Sequence, residues 1–182
     1  VVLSIGLTAL TFAYKNIRRA PIRTDSAQPA PANGAPENRP AIDAANRLAA
    51  LEQISAKDPK NFEYLTQIAN IYYDLGNYEK AAEAYQRSLD IRPQNPNVET
   101  DLATCFHYLG RHDQALEMLD GVLKHSPNFP QALFNKGIVL VAGKKDIKGG
   151  IAVWEELLRS DPVFSKNADL EKRIRQLKAS AE

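Results

Sequence analysis

The chain repeats itself every 34 residues. Leu75-Gly76-Asn77-Tyr78-Glu79-Lys80-Ala81 returns as Leu109-Gly110-Arg111-His112-Asp113-Gln114-Ala115, and the same offset carries Ala69 to Ala103, Tyr72 to Phe106, Leu89 to Leu123 and Pro93 to Pro127. A period of this length means one supersecondary unit used several times, each copy burying its apolar face against the next. Inside each unit the apolar spacing is helical on both sides of the glycine, and no stretch alternates like a strand. A third unit starts near Pro130 and supplies Gly137, Leu140, Gly150, Trp154 and Pro162, with one extra residue in its turn between Ala142 and Lys148. The residue types have physical reasons. Two helices cross closely only where small residues let the backbones approach, so Ala69 is expected against Ala81, with large neighbours filling the remaining space. Gly76 and Gly110 stand where a helix must stop and a positive φ is needed. Pro96 and Pro130 fit the first turn of a new helix, where a missing N–H costs nothing.

A small residue, an aromatic three later, a glycine turn, a second small residue, an aromatic and a closing proline make a pattern that resembles the tetratricopeptide-repeat family. The first unit carries it as Ala69, Tyr72, Gly76, Ala81, Tyr85 and Pro93, the second as Ala103, Phe106, Gly110, Ala115, Leu119 and Pro127. The resemblance implies an all-α fold, an α-solenoid of three helix-turn-helix repeats at about 62–95, 96–129 and 130–163. Ala41 to Lys57 reads as an extra helix before the first repeat, with Ala44, Leu48 and Leu51 on one face. A capping helix at about 165–180 would turn Leu170, Ile174 and Leu177 inward and Glu171, Lys172, Arg173 and Arg175 outward. The repeat domain is thus expected over 41–182. In this family the inner wall is lined by first-helix side chains, which implies Thr66, Asn70, Tyr73 and Asp74 from the first unit. Thr100, Thr104, His107 and Tyr108 follow from the second, and Phe134, Ile138 and Val141 from the third. Tyr73, Tyr108 and Phe134 would form an aromatic stripe of the kind that dominates binding energetics. The family's chaperone-binding clamp grips a terminal carboxylate with Lys, Arg and two Asn. Here only Asn70 matches, while Thr66, Asp101, Gln131 and Asn135 occupy the other places, so that acidic tail is not the expected ligand.

Ahead of the repeats, Val1 to Tyr14 runs fourteen residues without a charge and is closed by Lys15-Asn16-Ile17-Arg18-Arg19. A membrane span needs about 20 apolar residues, which residues upstream of Val1 would supply. A signal-peptide core and a buried helix are the competing readings, but bases after the run suit a juxtamembrane stop. Residues 1–19 are therefore expected to be a transmembrane anchor helix. Residues 20–40 hold five of the eleven prolines and read as an extended linker, which at roughly 3.1 Å per residue would span about 60 Å. The implied localisation is a single-pass cell-membrane protein, the basic cluster favouring a cytoplasmic over a periplasmic repeat domain.

The sequence carries no motif for catalysis or metal binding. Gly137 to Lys145 misses a phosphate-binding loop by one residue of spacing and by lacking a Ser or Thr after the lysine. Cys105 and His107 lie roughly 200° apart around a helix and cannot share a metal. There is one cysteine, and no HExxH, CxxC or CxxCH motif. Residues 1–23 carry four of the basic side chains and no acid, so a formal net charge of +1 leaves a mildly acidic body, which gives no reason to expect nucleic acid. No catalytic residue, cofactor, metal or small-molecule substrate is expected. The expected function is a membrane-tethered protein–protein interaction scaffold, a subunit or assembly factor whose partners are proteins of a membrane complex. The layout resembles bacterial membrane-anchored tetratricopeptide proteins, including those of cytochrome c biogenesis. A purely structural, stoichiometric subunit of a respiratory or photosynthetic complex is the alternative.

Overall fold

Asparagine side chains open the first three repeat helices. In the computed structural model, which describes residues 39–180, Asn61 Oδ1 accepts the backbone N–H groups of Glu63 and Tyr64 at 3.1 and 3.3 Å. Asn95 does the same for Asn97 and Val98 at 3.2 and 3.4 Å, and Asn77 accepts from Lys80 at 3.2 Å. These bonds satisfy donors that a helix start otherwise leaves unpaired. The described helices are α1 (Arg39–Lys57), α2 (Phe62–Asp74), α3 (Tyr78–Ile91), α4 (Pro96–Tyr108), α5 (His112–His125), α6 (Pro130–Ile138), α7 (Ile147–Ser160) and α8 (Ala168–Ser180). A π-helical turn, Val139–Lys144, continues α6, a short 3-10 turn, Phe164–Lys166, precedes α8, and the described residues contain no strand.

Each repeat is an antiparallel pair, α2 with α3, α4 with α5 and α6 with α7, and each second helix also packs on the next first helix. Ala69, Ala81, Ala103 and Ala115 have no exposed surface, as expected for residues that set the closeness of a helix crossing. The core is shared between repeats. Ala69, Ala81, Tyr85 and Leu89 of the first repeat form one cluster with Val98, Leu102 and Cys105 of the second. Ala103, Ala115, Leu119 and Val122 form another with Ala132 and Val139 of the third. Neither cluster can close within one repeat, which is why the units stack.

The turns separate the third repeat from the others. Gly76 and Gly110 both stand at φ +75°, and behind them Asn77 N–H donates to Tyr72 O at 2.9 Å and Arg111 N–H to Phe106 O at 2.8 Å. In the third repeat the corresponding bond runs from Asp146 N–H to Leu140 O at 2.9 Å, one residue longer. The extra residue expected in the connecting turn is taken up earlier, by the π-helical winding of Val139–Lys144. Wider winding keeps backbone groups paired, which a looser loop would not. Lys145 then adopts the left-handed conformation at φ +62°, where the other repeats use glycine. The small residues differ as well. A Cβ at Gly137 would run into the Trp154 indole, and one at Gly150 into Val141. Trp154 is wholly buried, and its Nε1–H donates to Phe134 O at 2.9 Å.

At the ends, Leu48 and Leu51 of α1 pack on the first cluster, and Tyr72 OH donates to Glu52 at 2.8 Å. Leu170, Ile174 and Leu177 of α8 are buried, and Lys178 ties α8 to Glu155 of α7 at 2.7 Å. The structure is thus an all-α repeat stack with an extra helix before it and a capping helix after it.

The expected single-pass membrane localisation is corrected by the structure. Among the described residues no helix is long and apolar enough to cross a membrane. The longest, α1, is interrupted by Asp43, Arg47 and Glu52, whereas a span needs about 20 predominantly apolar residues. The apolar run 1–14, and with it the expected anchor over 1–19 and nearly all of the linker over 20–40, lies outside the described residues.

Candidate protein-binding wall

Residues spaced i, i+4, i+7 and i+11 share one face of a helix. On α2 that spacing selects Glu63, Gln67, Asn70 and Asp74, of which only Asn70 is half-buried and the rest are exposed. On α4 it selects Asn97, Asp101, Thr104 and Tyr108, exposed at both ends and half-buried between. On α6 it begins with Gln131 and Asn135. The α4 and α6 stripes are joined, since Gln131 Nε2 donates to Asp101 Oδ1 at 3.3 Å and Asn135 Nδ2 to Thr104 Oγ1 at 3.0 Å. Together they make a polar wall running across the first helices of all three repeats.

The residues expected from the sequence fall on and around this wall. Asn70 lies on it, and its amide oxygen accepts Tyr85 OH at 2.6 Å. Asp74, Thr104 and Tyr108 lie on it too, Tyr108 being 40% exposed. Thr66 turns toward α3 and shares a 2.7 Å hydrogen bond with Ser88 Oγ. Thr100 is wholly buried and donates to Pro96 O at 2.6 Å. Phe134, Ile138 and Val141 are all buried, with the Phe134 ring 6.3 Å from Trp154 and 5.9 Å from Phe164. Glu63, Gln67 and Asn97 fall outside the inner-wall positions that the family resemblance implies, and Asp101, Gln131 and Asn135 stand in the sequence as replacements for clamp residues. The polar i, i+4, i+7, i+11 stripe was the available signal for all six.

Tyr73 and His107 sit at the turn end of the wall in an aromatic group. Tyr78 stacks on Tyr108 at 4.4 Å between centroids, and Tyr73 meets both edge-on at 5.4 and 6.0 Å. Burial, and then the neighbouring Tyr108, push the Tyr73 phenol far above its ordinary pKa. His107 Nδ1 lies 3.2 Å from His112 Nδ1. Burial, and then His112, lower the His107 pKa to about 4, so this imidazole is neutral near pH 7.

The formal charges on the α2 and α4 stripes are acidic. α2 and α4 contain no lysine or arginine, and Lys136 of α6 pairs with Asp120 of α5 at 2.6 Å. The Tyr85 phenol is raised by burial first, and then by Asp101 and, more weakly, Asp74 among its neighbours. Cavities of about 500 and 420 Å³ lie elsewhere, one lined from α3 and α4 and the other from α1, α2 and α3. Those cavities are mixed in charge, with Glu83 and Arg87 common to both.

Two tetratricopeptide-repeat family models match the chain, one over residues 72–134 and one over 43–96. The chain belongs to the tetratricopeptide-repeat family. The second match begins inside α1, so the helix read from sequence as an addition to the first repeat falls within tetratricopeptide territory. A relative, the TPR repeat-containing protein MJ1428 of Methanocaldococcus jannaschii, is 35% identical over 80 residues, covering 44% of this chain and 14% of that protein. The chain thus spans about a seventh of that relative. Among solved structures, the crystal structure of MamA is similar with a TM-score of 0.62 at 14% identity, covering 81% of this chain and 92% of that one. The first TPR of Spaghetti (RPAP3), bound to the HSP90 peptide SRMEEVD, is similar with a TM-score of 0.58 at 20% identity, covering 66% and 92%. At these identities both likenesses establish the tetratricopeptide fold alone.

Proposed function

We propose that this tetratricopeptide stack is a protein–protein interaction scaffold, a subunit or assembly factor of a protein complex, that grips a partner along its first-helix wall. The observation that carries the reading is the wall itself. It is a polar stripe on the first helices of three repeats, tied between the second and third by the Gln131–Asp101 and Asn135–Thr104 bonds and carrying the exposed Tyr108 ring. Such a surface offers a partner segment many hydrogen-bonding groups, with an aromatic anchor of the type that concentrates binding energy. Proteins of this family are in general interaction scaffolds and not enzymes, and the chain is read the same way. A tetratricopeptide neighbour of the same fold was solved with a peptide bound, which supports a peptide-holding role here. The test is affinity capture followed by mass spectrometry, with the wild-type chain beside the variant Gln67→Trp/Asn97→Trp. Both positions are exposed, so the indoles obstruct the wall without entering the core. The variant should lose the partners that the wild type recovers. Recovery of the same partners in the same yield would sink the proposal.

A further inference from the structure

We propose that His107 and His112 form a two-histidine site for a divalent transition-metal ion, Zn²⁺ or its neighbours Ni²⁺ and Cu²⁺, held across the turn of the second repeat. The inference does not depend on what the wall binds. Residues five apart on one helix point about 140° away from each other, so a continuous helix could not pair these side chains. The turn pairs them. Gly110, at φ +75°, reverses the chain between the last turn of α4 and the first residue of α5, and the two Nδ1 atoms come to 3.2 Å. Two imidazole nitrogens bound to one tetrahedral ion at about 2.0–2.1 Å stand roughly 3.3 Å apart, so these two are already at chelating distance. Their rings are tilted by 46°, with 5.0 Å between centroids, and do not stack face to face. In the first repeat the same turn brings together Tyr73 and Tyr78, edge to face at 5.4 Å. Any aromatic pair therefore satisfies the packing here, and the second repeat fills the place with two ligating rings. Gly143, in the π-helical turn of the third repeat, is an independent sign. A Cβ there would come within 2.7 Å of His112 Nδ1, closer than to the ring carbons, so the missing side chain leaves that nitrogen uncovered. Lys144, next in sequence, pairs with Asp113 at 2.6 Å, which neutralises the neighbouring cation. Both histidines are half-buried. Among the described residues no third His, Cys, Asp or Glu completes the set, so water takes the remaining positions. Imidazole suits Zn²⁺, Ni²⁺ and Cu²⁺, whereas Mg²⁺ and Ca²⁺ take oxygen ligands. An ion bound here ties α4 to α5 and stabilises the folded state by mass action.

The experiment titrates the untagged full chain with Zn²⁺, Ni²⁺, Cu²⁺ and Mg²⁺ by calorimetry and follows Tm at each concentration. The three transition-metal ions should bind at one ion per chain and raise Tm, and Mg²⁺ should do neither. His107→Gln and His112→Gln should each weaken binding at least about tenfold, since losing even an outer partner of a metal costs that much. His107→Tyr/His112→Tyr installs the aromatic pair of the first repeat, so it should fold with a metal-free Tm near the wild type's and gain nothing from the ions. Gly143→Ala removes no ligand yet covers His112 Nδ1, and should also weaken binding by about tenfold. His125→Gln, at the far end of α5, should leave affinity unchanged. No saturable binding below about 1 mM would overturn the proposal and leave the contact a hydrogen bond between two imidazoles. Binding retained in His107→Tyr/His112→Tyr, or lost in His125→Gln, would overturn it as well, because the ion would then sit elsewhere.

Discussion

The first two repeats and the third answer the same packing problem with different residues. In the first two, alanines meet at the helix crossing, Tyr85 or Leu119 fills the space beside them, and a glycine at φ +75° turns the chain. In the third, the filler is Trp154, and both small positions are glycine because a methyl group at Gly137 would collide with the indole. Its turn is made by Lys145, and its additional residue is wound into the end of α6. The inner faces diverge too: Thr104 and His107 are half-buried in the second repeat, while Ile138 and Val141 at the matching places of the third are buried. The small and large positions of a repeat are therefore coupled, and what is preserved is their summed volume and not the residue types.

The comparison is broken most severely at Trp154. Trp154→Ala should lose about 3–5 kcal/mol, since it empties the largest buried side chain, and a urea midpoint measured against the wild type reads the loss. Gly137→Ala adds one methyl where none fits and should cost about 1–3 kcal/mol. In the second repeat Ala103→Gly should cost only about 1 kcal/mol, mainly helix propensity. Equal effects at the two sites would refute the coupling.

A smaller effect distinguishes the second repeat by pH. His107 has its pKa lowered to about 4 from 6.5, so below pH 6.5 the unfolded chain takes up a proton that the folded chain refuses. Its contribution to stability is complete above pH 6.5 and is lost as pH falls toward about 4. Urea midpoints compared between pH 7 and pH 4.5 should fall less in His107→Gln than in the wild type. The turn sharpens the comparison further. Lys145→Gly should raise stability by about 0.5–1 kcal/mol by relieving a left-handed non-glycine residue, and Gly110→Lys should lower it by about 1 kcal/mol. Smallest of all, α5 starts at Arg111 without a side-chain cap, whereas α3 and α7 start at Asn77 and Asp146. Arg111→Asn should add about 0.5–1 kcal/mol, visible as a modest rise in Tm.

The period and the residue types at its small, aromatic and glycine positions were enough to read the repeats, their helix pairs and the cap, because each of these is local or repeats at a constant spacing. What escaped the sequence depended on context. The place of the third repeat's extra residue followed from backbone pairing, which favours a wider helical turn over a longer loop. Phe134 is buried at the repeat position where Thr100 is buried too, and its ring also meets Phe164, from a segment beyond the last repeat that obeys no period. Family position points Thr66 and Thr100 to the wall, but their hydroxyls bond within the stack. The expected anchor drew on a segment whose meaning the repeat physics does not touch, and the described helices do not provide one.

Cys105 is the chain's one cysteine, and it is wholly buried where the first repeat meets the second. That makes the protein its own clock for the opening of this seam. A thiol reagent can reach the sulfur only while the two repeats part or unfold, so the labelling rate in dilute reagent measures how often they separate. A ligand that bridges α2 and α4 should slow that clock, and one that binds elsewhere should leave it running at the same rate.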